Sequence, residues 1–297
     1  MRIAITGSGG RLGAALARGY RDRHEVTGLD RFGLDLRWRE SIEKALGGME
    51  FDILINAAAV TNVDYCELNR EEAFLVNEAA VRTMAEICRG KGARMIHVST
   101  DYVFEGEEAG LRAEDDAVGP KSIYGKSKLA GEHALLEVDP EYLVIRTSWV
   151  FGPDRRSFLD SIIDRAMYLE GVEAIEDKYS NPTYTLDFVS MLEPFLEENR
   201  LGGRLNLCNA GSCSWREYGQ AGLDCAAAKG LSLKTRELVG IGLAEMDQFV
   251  APRPVHTAMS VAKYEAESGR KVRCWEEAVE MYIRDYFLPR QGVCVED

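Results

Sequence analysis

The chain has 297 residues, 46% of them hydrophobic, enough to bury one large core or two modest ones. A formal net charge of −13 argues against nucleic acid or an anionic membrane as partner, since both require clustered basic surface, but leaves room for an anionic cofactor in a local pocket. The opening residues, Met1-Arg2-Ile3-Ala4-Ile5, enter a strand directly and no apolar run is long enough to span a bilayer, so the chain reads as a cytoplasmic protein without a signal peptide.

Arg2 to Thr6 is a short apolar strand, followed by Gly7-Ser8-Gly9-Gly10-Arg11-Leu12-Gly13 and a helical pattern to about Arg21. This spacing fits a dinucleotide-binding strand–turn–helix. Gly7 permits the tight turn, Gly10 lets backbone approach a pyrophosphate, and Gly13 lets the helix pack close to the sheet. The helix N-terminus supplies N–H donors and a positive dipole end. Glu25 to Leu29 predicts a second strand ending at Asp30-Arg31. An acid at that tip grips the adenosine ribose and favours NAD, whereas Arg31, with Arg11, would hold the 2′-phosphate of NADP; both readings stay open. Asp35-Leu36 begins a polar turn into a helix from Trp38 to Leu46, and Asp35 fits either a place near the adenine or a plain helix entry.

Phe51 to Asn56 is a third strand, and the Ala57-Ala58-Ala59-Val60-Thr61 run after it leaves room for a flat cofactor or simply packs closely. Within a long helix from Glu71 to Arg89, Asn77 is placed to brace the sheet loop. Ala93 to Ser99 is the fourth strand and runs into Thr100-Asp101-Tyr102-Val103-Phe104. A helix from Ser122 to Leu136 then carries Tyr124 and Lys128, four apart and therefore on one face. A phenol beside an ammonium is expected to have a lowered pKa, because the cation favours the phenolate. With the Thr100 hydroxyl at the strand tip, the three groups form a proton-delivery site for a carbonyl.

Glu141 to Arg146 is the fifth strand, tipped by Thr147-Ser148-Trp149. Strands alternating with helices at this pitch predict an α/β fold, a Rossmann-type doubly wound parallel sheet. Past Pro153 the alternation loosens. Helices are expected over Ser157–Leu169, Thr185–Glu198, Ser214–Ala228, Val261–Glu267 and Trp275–Tyr286, with strands at Val172–Ile175 and Arg204–Cys208. The expected division is a cofactor domain over 1–152 with 177–200 packing back on it, a smaller C-terminal α/β substrate domain from 153–176 and 201–288, and a tail from 289. The seven cysteines show no Cys-x-x-Cys spacing and read as reduced thiols, and the four histidines are too scattered for a sequence-local metal site.

Several runs together resemble the dTDP-4-dehydrorhamnose reductase family of the extended short-chain dehydrogenase/reductases. They are Gly7-x-x-Gly10-x-x-Gly13, Asn56-Ala57-Ala58-Ala59, Val63-Asp64-x-Cys66-Glu67, Ser99-Thr100-Asp101-Tyr102-Val103-Phe104, Tyr124-Gly125-Lys126-Ser127-Lys128, Arg146-Thr147-Ser148-Trp149-Val150, Pro182-Thr183, Trp215 and Arg253-Pro254. The Ser-Thr-Asp-Tyr-Val-Phe run with the tyrosine helix is the specific part.

The resemblance implies hydride transfer from NADPH or NADH to the C4 keto carbon of a 6-deoxy-hexose nucleotide, as in dTDP-rhamnose and polysaccharide biosynthesis. Tyr124 would be the proton donor, Lys128 would lower its pKa and hold the nicotinamide ribose, and Thr100 would hold the carbonyl oxygen. It implies Gly9, Leu12, Leu36, Ser99 and Thr61 along the cofactor, and Val63 where cofactor meets substrate. Asp101, Tyr102 and Trp149 would surround the sugar or nicotinamide, and Arg253 would face the substrate pyrophosphate. The likeness extends to the regulatory subunit of methionine adenosyltransferase, a non-catalytic cofactor-binding protein, and a fold alone does not fix which carbonyl is reduced. Ala14-Ala15 stand where some bacterial members carry a glutamate for a dimer-bridging magnesium, so no metal is expected and a monomer or homodimer both stay open. Lys178 and Ser180 replace the family's usual glutamine and glycine, which leaves the sugar and base open.

Overall fold

A computed structural model describes residues 1–196 and 201–293. The chain begins β1 (Arg2–Thr6), α1 (Arg11–Tyr20), β2 (Glu25–Leu29), α2 (Arg39–Gly47), β3 (Ile53–Asn56), α3 (Val63–Leu68) and α4 (Arg70–Phe74). A π-turn at Leu75–Ala79 leads into α5 (Ala80–Lys91), then β4 (Arg94–Thr100), α6 (Ile123–Val138) and β5 (Leu143–Thr147). The second half contributes β6 (Val150–Phe151), α7 (Phe158–Tyr168), β7 (Glu173–Ile175), β8 (Tyr179–Ser180), β9 (Thr183–Tyr184) and α8 (Thr185–Leu192). It continues with β10 (Gly203–Asn206), β11 (Cys213–Ser214), α9 (Trp215–Ala228), β12 (Val239–Ile241), α10 (Ala262–Ser268), α11 (Trp275–Tyr282) and α12 (Leu288–Arg290).

Six strands form one sheet in the order β10-β5-β4-β3-β1-β2, every pair parallel. Side chains of a strand alternate faces, and the core follows that period. Ile3 and Ile5 pack with Leu16, Tyr20 and Phe188 under α1 and α8, whereas Ala4, Leu54 and Val144 pack with Ile42, Met84 and Leu135 under α2, α5 and α6. Both faces are covered, as a parallel sheet requires. A third core, around Phe151, Ile163, Tyr218, Trp275 and Tyr282, is built from the second half of the chain.

The division at 201 needs correcting at one strand. Gly203–Asn206 joins the central sheet beside Leu143–Arg146 and is not part of the substrate lobe. Before it, α8 packs against α1: Tyr20 donates from its hydroxyl to the Val189 carbonyl at 2.9 Å. The helix expected over Thr185–Glu198 runs as α8 and a 3-10 turn to Phe195, and its last two residues lie outside the described ones. The last helix, α12, buries Leu288 and runs on to Arg290 at the start of the expected tail, of which 294–297 lie outside the described residues. The capping box opening α9 is formed, Ser214 and Glu217 bonding reciprocally. Among the described residues no helix is long and apolar enough to cross a membrane.

Candidate active site

In a doubly wound sheet ligands sit beyond the C-terminal strand ends, where neighbouring strands send their connections to opposite faces. Here that point lies between β1 and β3. Gly7 adopts φ +71°, and a Cβ there would lie 2.9 Å from the Ala57 carbonyl carbon. A Cβ on Gly13 would lie 2.2 Å from the Gly7 carbonyl oxygen, so α1 can approach the loop only as glycine allows. Its first turn starts at Gly10 with no side-chain cap, which leaves N–H donors directed beyond the strand ends. A cleft of about 790 Å³ runs from this loop past the tips of β2, β3 and β4 to α6. All the site residues read from sequence line it except Gly13, which packs beneath the loop, and Arg253.

At the β2 end the cleft is lined by Asp30, Arg31, Phe32, Arg37 and Arg155. Asp30 Oδ1 accepts from the N–H groups of Phe32 and Gly33, each at 3.0 Å, so part of the carboxylate holds its own turn. Asp35 accepts from Arg37 at 2.6 Å, and that partner brings its carboxyl down to about 2. Arg11 lines the same cleft as Arg31, and its guanidinium donates to the carbonyls of Val150, Arg155 and Arg156, tying the glycine loop to β6. Arg155 Nε in turn donates to the Gly9 carbonyl at 2.6 Å. Phe32, Arg37 and Arg155 went unread, because turn residues without periodicity carry no local signal of where they converge.

At the other end, α6 presents Tyr124 and Lys128 beside the β4 tip. Its start is fixed twice: Ser122 accepts from the Gly125 N–H at 3.2 Å, and Glu67 of α3 accepts from the Ile123 N–H at 2.9 Å. Asn77, in the π-turn, accepts from the Val60 N–H at 2.9 Å and donates to Ser127 Oγ at 3.0 Å, bracing the loop after β3 against α6 as its position predicts. One turn beyond Lys128, Glu132 is fully buried. It accepts from Ser99 Oγ at 2.6 Å and from Arg146 Nε and Nη2 at 3.0 and 2.8 Å.

Thr100 accepts from the Tyr102 N–H at 3.2 Å and donates to Asp101 Oδ1 at 3.1 Å; its hydroxyl also bonds Tyr124. Burial dominates the phenol and pushes its pKa up, with the Thr100 bond pulling the other way. This corrects the expectation that Lys128 lowers it. The Lys128 ammonium points elsewhere, donating to the Val98 carbonyl at 2.7 Å and meeting His97 Nε2 at 3.1 Å. Burial brings Lys128 down to about 7.

Asp101 is a junction: its other oxygen accepts from Ser180 Oγ at 2.8 Å and from the Thr257 hydroxyl, joining the β4 tip to β8 and to the segment after Pro254. Thr257 was not read from sequence. Tyr102 meets Tyr124 edge to face at 5.6 Å, and Lys178 lies over its ring at 4.9 Å while donating to the Pro254 carbonyl at 2.7 Å. Trp149 is the only non-glycine among the described residues with positive φ, +40°. A left-handed residue with a Cβ costs about 1–2 kcal/mol, and Trp149 stands in the cleft wall with its indole N–H buried and without an acceptor. Arg253 departs from its expected place. It grips Asp64 of α3 through both terminal nitrogens, at 3.1 and 2.6 Å, and lies over the Phe249 ring, so its guanidinium is held off the cleft. That pairing holds the Asp64 carboxyl down to about 2.

Residues 1–287 match the RmlD substrate binding domain family. The spore coat polysaccharide biosynthesis protein SpsK of Bacillus subtilis is 32% identical, covering 99% of both chains. The dTDP-4-dehydrorhamnose reductase of Aggregatibacter actinomycetemcomitans is 32% identical over 96% of this chain and 99% of its own. The crystal structure of dTDP-4-dehydrorhamnose reductase from Bacillus anthracis in complex with NADP superposes with TM-score 0.87 at 28% identity, covering 95% of this chain and 98% of that one. With a match along almost its whole length, the chain belongs to the RmlD substrate binding domain family.

Proposed function

We propose that the protein is an NAD(P)H-dependent reductase of a nucleotide-linked 4-keto-6-deoxy sugar. The observation that carries this is one continuous cleft with a glycine cradle and an uncapped helix start at one end, and Thr100, Tyr124 and Lys128 at the other. The residues fit a nicotinamide dinucleotide. Side chains at Gly7 and Gly13 would collide with the backbone of Ala57 and of Gly7 and push the loop and α1 out of place, and the small Ala57, Ala58 and Ala59 line the next stretch of the cleft. When bound, the cofactor supplies the hydride. The chain's own residues hold the carbonyl and deliver the proton. Thr100, whose hydroxyl turns from Asp101 to the substrate oxygen, and Tyr124 both bond that oxygen as charge grows on it, which stabilises the transition state more than the ground state. Tyr124 releases its proton to the alkoxide, and Lys128, in its charged form, would hold the nicotinamide ribose. Tyr102 and Trp149 wall the site and exclude water from it.

A non-catalytic binding subunit is not favoured, since Thr100, Tyr124 and Lys128 are all present and the relatives are named as reductases. The site residues and a cytoplasmic location are part of this proposal. The test is loss of reduced-nicotinamide absorbance with freshly made dTDP-4-dehydro-rhamnose; cofactor binding without turnover on this or other keto-sugar nucleotides would overturn the reading.

NADPH is the cofactor we assign, because Arg31 lines the cleft beside Asp30 and forms no ion pair among the described residues, while Asp30 is partly engaged by its own turn. Arg31→Ala is expected to weaken NADPH about tenfold, roughly 1.4 kcal/mol, and leave NADH unchanged. Fluorescence titration reads both, and an unaltered preference would remove Arg31 from that role.

A further inference from the structure

His97 lies in β4, fully buried, its ring between Asn56 of β3 and Lys128 of α6. The ring's proton can be placed from its neighbours. Asn56 Oδ1 accepts from the Thr6 hydroxyl at 2.6 Å and from the Ala58 N–H at 3.1 Å. A backbone N–H only donates, so that atom is the amide oxygen, and the amide nitrogen faces His97 Nδ1 at 2.9 Å. Nδ1 therefore accepts. Burial first, and the Lys128 charge second, drive the imidazole pKa well down, so the ring is neutral and its single proton sits on Nε2. That N–H is aimed at Lys128 Nζ from 3.1 Å.

An ammonium has no lone pair, so a charged Lys128 opposes donor to donor across that contact. The amine form accepts from Nε2–H while still donating to the Val98 carbonyl. Other groups around the pair do not reverse the balance. Glu132, on the same helix, attracts the charge, but its oxygens are already held by Ser99, Arg146 and Arg204. Asp101, from the turn after β4, and Cys66, from α3, act on Tyr124, and the π-turn contributes the uncharged Asn77.

We propose that His97 is a positioning residue that governs the charge of Lys128, through a tautomer fixed by Thr6 and Asn56. The proposal rests on the reading of Tyr124 and Lys128 as the reductase pair and adds a switch to it. Lys128 is then not a permanent cation. It gains its proton as pH falls through the neutral range, and reduction slows as pH rises and the proton is lost.

The test is His97→Gln, whose amide oxygen can accept from the ammonium. The alkaline limb of the kcat/KM profile is expected to move up by about one pH unit or more, since a favoured ammonium has a raised pKa. A merely structural role would lower kcat and leave the limb in place, and that result overturns the proposal. A second reading needs no substrate: ring ¹⁵N resonances of the parent protein, with His97 assigned by replacing His24, His133 and His256 in turn. A bare Nδ1 and protonated Nε2 are expected from about pH 6 to 9. An Nδ1-protonated or charged ring overturns the proposal, including where His97→Gln does not fold. If no keto sugar is reduced, the reductase reading falls while the nitrogen spectrum still decides the tautomer.

Discussion

Tyr124→Phe is expected to lower kcat by about 10²–10⁴-fold while cofactor affinity stays within about twofold of the parent, the usual weight of a positioned proton donor. The substitution is clean because a phenyl ring keeps the edge-to-face contact with Tyr102, at 5.6 Å, and removes only the hydroxyl that meets Thr100. Single-turnover reduction separates this chemical step from binding, and a loss of only a fewfold would place proton delivery elsewhere. The raised pKa of the phenol gives the site a direction. Burial keeps Tyr124 protonated throughout the working range. The acid is therefore loaded for carbonyl reduction, whereas running the reaction backwards must first remove that proton against the same burial.

Glu132→Ala is expected to destabilise the fold by about 3–5 kcal/mol, read as a lower urea midpoint with an unchanged slope. The carboxylate is completely buried and Arg146 nearly so, and the pair has 2.8 and 3.0 Å bonds. Truncation leaves the Arg146 guanidinium without its counter-ion inside the protein and Ser99 without its acceptor. Because a buried ion pair owes much of this figure to the penalty for orphaning one charge, Glu132→Gln, whose single amide oxygen can still accept from Ser99 and Arg146 Nε, should lose less. A loss below about 1 kcal/mol for the alanine variant would mean that water reaches Arg146 and the site is not sealed. Activity should fall alongside, since Glu132 anchors the helix that presents Tyr124 and Lys128.

How much of this was legible in the sequence depends on how local each signal is. The glycine loop, the β4 tip and the Tyr124 helix are contiguous runs with fixed periods, and they converge in one cleft. Asn77 could be placed because it lies on the helix facing the loop it braces. Long-range competition was not legible. Arg253 and Asp64 are 189 positions apart, and nothing local to either shows that they take one another. Nor does anything local to Arg11 show that the carbonyls of a distant turn take its guanidinium. The direction of the Tyr124 shift failed for a related reason: spacing on a helix shows that Lys128 is near, but not that its nitrogen turns to Val98 and His97. The strand expected over Arg204–Cys208 is present as Gly203–Asn206, but its partner could not be inferred from its own few residues.

That sixth strand also constrains how the protein can be made and altered. Among the described residues, the edge of β5, with Leu143, Val144 and Ile145 all buried, is paired by residues 203–206, which follow α7 and α8 in the chain. A ribosome that has delivered the glycine loop, Thr100, Tyr124 and Lys128 still holds a sheet with an open apolar edge, the kind that pairs with other chains. The catalytic residues are thus complete in sequence well before the sheet beneath them is closed. The two halves are interleaved, so the C-terminal lobe is not an interchangeable module: a recombination event near residue 152 would carry away the strand that finishes the cofactor sheet.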